Sequence, residues 1–207
     1  MKKITFKKEY TKFAVLSILS IITGIIEYIG FEKTNSNTLG IAITHMLFHV
    51  AFFGTLFIFS YFFHHKNIKQ EEKIEKLISY GTIVLVIVLG IFRIHELLDH
   101  TFEQMIFGNM ATLRWYLVLI NGLIFLQWYV LHAKTDNNSC DALCHGSEGH
   151  LLVDCIGLIA LFWVTFTGSF ITSIVDTILF ILSGGILILT VIRIIRNVNK
   201  KYSKRVH

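Results

Sequence analysis

Residues 39–63 read LGIAITHMLFHVAFFGTLFIFSYFF, a run without Asp, Glu, Lys or Arg. A helix crosses the hydrocarbon of a bilayer with about 20 apolar residues, so this run is long enough to span. It nevertheless carries two histidines four residues apart. Five further apolar stretches accompany it, at 13–29, 77–98, 113–131, 151–166 and 170–195. Strands of a membrane barrel would alternate apolar and polar over about ten residues, and an open sheet would leave backbone groups unsatisfied in lipid. The pattern predicts an all-α integral membrane bundle of six transmembrane helices.

Composition agrees. Of 207 residues, 54% are hydrophobic and 16% charged, against about 45–50% and about 25% in soluble domains; the mean hydropathy is +0.63. A net charge of +5 would suit nucleic acid if the cations were clustered. They lie between and beside the apolar runs, so no nucleic-acid partner is expected. Cys140, Cys144 and Cys155 make no even set for a disulfide framework. The run behind the basic N-terminus lacks a cleavage site and reads as a retained first span. Without proline, no helix can be broken in the manner of some transporter sites. Gly81, Gly90, Gly122, Gly184 and Gly185 read as positions of close helix packing.

The cations set the topology. Lys2, Lys3, Lys7, Lys8 and Lys12 precede the first span, Lys66, Lys69, Lys73 and Lys76 follow the second, Lys134 follows the fourth, and six more close the chain. Lys33 and Arg114 fall on the other side. The positive-inside rule then places both termini in the cytoplasm, as an even number of spans requires. The expected organisation is a basic cytoplasmic N-terminus (1–12), a six-helix domain (13–196) and a short basic tail (197–207) with no soluble domain, in the cell membrane.

Ionisable residues within a span cost about 2.5–3.5 kcal/mol on insertion scales and mark pathways, ligands or structural pairs. Two pairs stand out, His45 with His49 in the second span and His150 with Asp154 in the fifth. The i, i+4 spacing puts both members of a pair on one helix face, so two helices offer four ligands to one point. Three imidazoles and a carboxylate suit tetrahedral Zn²⁺, with Co²⁺, Cd²⁺ or Ni²⁺ as alternatives; Mg²⁺ and Ca²⁺ prefer oxygen. The plainer account of a single intramembrane histidine is an interhelical hydrogen bond.

With these motifs the chain resembles the transmembrane part of the cation diffusion facilitators, divalent-metal/proton antiporters that hold their ion with [His/Asp]xxxAsp on the second helix and HisxxxAsp on the fifth. His45-Met-Leu-Phe-His49 and His150-Leu-Leu-Val-Asp154 occupy those places. Glu75, Glu96, Asn121 and Asp176 match further polar positions of the pattern. His49 stands where the family usually has Asp, and Thr177 where it has Pro. The cytoplasmic metal-binding domain through which most members dimerise does not follow the sixth span, so any homodimer is expected to form through the transmembrane helices.

Depth constrains the fifth span. His45 and His49 lie in the outer half of the second, whereas a fifth span starting at Leu151 would leave His150 at the inner surface. Starting the helix at about Asp141 brings Asp154 near the middle. Its first turns, with Cys144, His145, Ser147 and Glu148, then line a cytoplasmic funnel, where Cys140, Cys144 and His145 are candidates for metal capture or simply residues of a helix start. Cys155 reads as a small apolar packing residue. Near the outer span ends lie Glu27, Arg93, His95, Glu96, Asp99 and His100, for which snorkelling and mutual pairing are the simple account. Glu96 and Asp176 are better placed to face the bundle, as hydrogen-bond anchors or as groups that orient the metal ligands.

The expected function is export of Zn²⁺ or a similar cation in exchange for protons, with no enzymatic activity and no organic cofactor. Two other readings use the same histidines. Haem ligation needs facing pairs a haem's width apart, whereas i, i+4 pairs crowd one locus. A membrane metalloenzyme would hold zinc on His45, His49 and His150 with Asp154 or Glu148 activating water, but no nucleophile or oxyanion donor is visible. A non-transporting metal sensor is the remaining alternative.

Overall fold

The computed structural model describes residues 5–6, 9–63, 110–135 and 141–203, with isolated positions between 73 and 95; over 141–150 and at scattered positions elsewhere only the backbone is described. Five helices carry the fold: α1 (Glu9–Thr34), α2 (Asn37–Phe63), α3 (Met110–Leu131), α4 (Asp141–Val164) and α5 (Ser169–Ser203). Two-residue strands β1 (Thr5–Phe6) and β2 (Lys134–Thr135) pair in parallel, Thr5 opposite Lys134. The helices correspond to every predicted stretch except the third. There Leu77, Tyr80, Gly81, Val84, Ile87, Val88 and Ile91 are helical and exposed, and the other residues from 78 to 90 lie outside those described.

Among the described residues, α1, α2 and α3 are long and apolar enough to cross a membrane, whereas α4 and α5 carry shorter apolar segments, Asp154–Val164 and Phe170–Ile186. α4 opens on the polar sequence DALCHGSEGH and α5 closes on a basic one. Hydroxyls inside the helices bond backward to the i−4 carbonyl, Ser20 to Leu16 at 2.9 Å, Thr23 to Leu19 at 2.8 Å and Thr177 to Ser173 at 3.0 Å, which removes the cost of an unpaired polar group in apolar surroundings. After Thr34 the chain turns at Asn35, whose left-handed backbone (φ 53°) and N–H bond to the Phe31 carbonyl at 2.8 Å end α1. Between α4 and α5, Gly168 (φ 116°) takes a conformation that side chains disfavour.

Among the described residues each helix packs chiefly on two neighbours, in the ring order α1, α2, α5, α4, α3. Phe13, Leu16, Phe48, Phe52, Phe53, Leu56, Leu117 and Ile120 fill its interior. Large apolar side chains also cover the outside, among them Ile18, Ile25, Val118, Phe125, Ile156 and Ile178, a surface that suits hydrocarbon better than water.

The two ends of the bundle differ. One gathers the α1–α2 turn, the start of α3 and the α4–α5 turn. There Arg114 donates to the Thr165 hydroxyl at 3.0 Å and carbonyl at 3.1 Å and lies 4.1 Å over the Phe166 ring, a cation on carbonyls beyond the end of α4. Trp115, Trp163 and Phe170 stand exposed at the same level, as aromatic side chains do at a membrane interface. The opposite end carries the start of α1 and the end of α3, joined where Lys12 donates to the Ala133 carbonyl at 3.2 Å.

Close packing falls on glycines other than those expected. A Cβ at Gly30 would meet Leu39 Cδ1 and Tyr116 Cγ at 3.2 Å, and one at Gly24 would meet Met46 Cβ at 3.3 Å. At Gly81, Gly122 and Gly185 it would meet nothing among the described residues within 4 Å, and at Gly184 only an ordinary contact with Ile41 at 3.5 Å. Gly90 lies outside the described residues.

Candidate metal centre

α2 carries His45 and His49 one turn apart, both buried to 1% exposure or less. α4 begins at Asp141, as the depth argument requires, and Asp154 lies inside the bundle at 8% exposure. The two helices are not adjacent in the ring, yet His45 Nδ1 and Asp154 Oδ1 share a hydrogen bond of 3.1 Å. With Asp154 ionised, the Nδ1–H donates, which leaves Nε2 as the ring nitrogen facing away from Asp154. His49 stacks on Phe53 (centroids 5.4 Å, interplanar 15°) and meets Phe48 edge-on at 5.3 Å.

The structure thus brings together one member of each predicted pair, His45 and Asp154, with His49 one turn along α2. His150 lies one turn before Asp154 on the α4 backbone. Its side chain and those of Cys144 and His145 lie outside the described residues, as do Cys140 and Glu96. Among the described residues, no three of His, Cys, Asp and Glu are drawn together as a metal site.

A further acidic residue, on a helix the motifs do not include, is buried at a similar depth. Glu27 of α1 is fully buried, and neither carboxyl oxygen has a hydrogen-bond partner among the described residues. It lies within electrostatic reach of Asp154. Snorkelling therefore does not describe it. Glu27 lies seven residues before the end of α1 and His45 eight after the start of α2, so both stand about 10–12 Å below the turn that joins these helices. That equality of depth is a signal the sequence contains.

Asp176 takes the anchoring role. Its carboxylate accepts from Ser36 Oγ at 2.7 Å, from the Asn37 N–H at 2.7 Å and from the Thr38 N–H at 3.3 Å, and its carbonyl accepts from Thr38 Oγ1 at 3.0 Å. It caps the N-terminus of α2 from α5, about two turns away from His45. A second polar knot binds α1 to α3: Ser20 Oγ donates to Gln127 Oε1 at 2.9 Å, and Gln127 Nε2 donates to Thr23 Oγ1 at 2.8 Å. Asn121 returns its amide to the Leu117 carbonyl at 2.8 Å and accepts from Cys155 Sγ at 3.4 Å, so Cys155 is a weak donor between α3 and α4 as well as a packing residue.

Compared with protein-family models, curated proteins and solved structures, the chain matches none.

Proposed function

We propose that the chain is a six-span membrane exporter of divalent cations, Zn²⁺ first among them with Co²⁺, Cd²⁺ and Ni²⁺ as alternatives, working as a metal/proton antiporter of the cation diffusion facilitator kind. The observation that carries this reading is the buried hydrogen bond between His45 and Asp154, which joins two ligand-type pairs 109 residues apart in sequence. A structural polar contact would need only one such residue on each helix. Here each partner belongs to an i, i+4 pair, and His49 is buried in the same stretch of α2.

The chemistry follows from the ligands. An imidazole nitrogen binds metal only when neutral, so loading a cation displaces protons, and exposure to an acidic compartment releases the cation and restores them. Ligands divided between α2 and α4 let relative movement of the two helices tighten or open the site. Both termini would face the cytoplasm of a cell membrane, and any second copy would pair through the helices.

Zinc uptake into proteoliposomes under an imposed pH gradient tests this. Gradient-driven flux is expected in the wild type, abolished in Asp154→Ala, and retained with altered metal preference in His49→Asp, which restores the carboxylate of the family pattern. Wild-type protein that binds zinc and moves none would reject transport in favour of a sensor or a metalloenzyme.

A further inference from the structure

We propose that Glu27 is a ligand of the intramembrane cation site, contributed by α1 in addition to the residues of α2 and α4; the inference rests on the cation-binding reading above. Three observations carry it. Glu27 is buried to 0% exposure with both oxygens lacking a hydrogen-bond partner among the described residues, although a buried carboxylate without partners is among the costlier arrangements in an apolar interior. It lies within electrostatic reach of Asp154, the acidic member of the site. The helix that carries it is held tightly against α2, Gly24 letting the α1 backbone approach Met46 so that a Cβ there would stand 3.3 Å from Met46 Cβ. Met46 is the residue next to His45.

Asp176 provides the contrast within the same molecule. It is equally buried, yet both its oxygens accept hydrogen bonds from the start of α2. A carboxylate with a purely structural role is thus satisfied by the protein, whereas Glu27 has two acceptor oxygens for which the described protein supplies no donor. A divalent cation meets that need. Neutral imidazoles with Asp154 alone would leave a bound M²⁺ with one uncompensated positive charge in a low-dielectric bundle, and a second carboxylate cancels it. The site so formed draws on three helices.

Co²⁺ added to purified, detergent-solubilised protein reports both affinity and ligand set through its visible d–d absorption. For Glu27→Gln, which keeps the shape and removes the charge, we expect an altered band and at least about tenfold weaker binding, the scale seen when a supporting group of a metal site is lost. Glu27→Asp keeps the charge but withdraws it by one methylene, and should also bind more weakly; it poses the same question should the Gln variant fail to fold. Wild-type spectrum and affinity in either folded variant would overturn the role of Glu27 while leaving the His45–Asp154 site in place. Wild-type protein that binds no Co²⁺ would overturn this inference and the cation-binding reading together. Wild-type protein that binds Co²⁺ through Glu27 but fails the flux assay would uphold the site and reject transport alone.

Discussion

At the scale of single residues, Asp176 shows how a charge is made tolerable inside an apolar bundle. The backbone N–H groups of Asn37 and Thr38 and the Ser36 hydroxyl converge on it, and these are the donors a helix start leaves without intrahelical partners. Asp176→Ala strands them in a buried place, so we expect a loss of about 2 kcal/mol or more, read as a lower unfolding midpoint in detergent. Ser36→Ala, which removes one hydroxyl donor to Asp176 and the long 3.4 Å contact from the Leu39 N–H but leaves the Asn37 and Thr38 N–H groups on the carboxylate, should cost less. Of these polar residues, the burial of His45, His49 and Asp154 was legible in the sequence, because titratable groups at helical spacing in an apolar run are driven to face the bundle. The anchoring partners of Asp176 were not, since they lie 138–140 residues away and two are backbone groups. Burial of Glu27 depends on which face of α1 meets α2, and hydropathy alone does not specify that face.

At the scale of elements, apolar length gave the helices and a depth argument gave the start of α4, because both follow from the thickness of a bilayer and a fixed rise per residue. Glycine roles did not follow. A glycine is required only where a neighbouring helix comes near, and the neighbour is a tertiary fact. Gly30 faces Tyr116 Cγ, an atom held close to its own backbone, and Leu39 Cδ1, each at 3.2 Å from a built Cβ. Gly30→Val should therefore destabilise by about 1–3 kcal/mol through overpacking. Gly122→Ala meets open space among the described residues and should stay within about 0.5 kcal/mol of the wild type. Thermal unfolding of the two variants side by side checks the contrast, and equal effects would contradict the packing of α1 on α3.

At the scale of the whole molecule, the ring order α1, α2, α5, α4, α3 was beyond reach of the sequence, because span lengths and loop charges fix direction without fixing neighbours. Direction itself is testable. In a background with Cys140, Cys144 and Cys155 replaced by Ser, a membrane-impermeant maleimide should label Lys33→Cys from outside intact cells and Lys200→Cys only after permeabilisation; the reverse pattern would invert the topology. Lys33 and Lys200 are both exposed in the fold. The Asp176 cap bears on how such a ring can deform. It grips the first residues of α2 from α5, at the end of the bundle that holds the α1–α2 turn. Sliding α2 along α5 would tear those bonds, whereas swinging their far ends apart would keep them. The seam between these two helices is accordingly built to pivot at one end, with its greatest travel at the other.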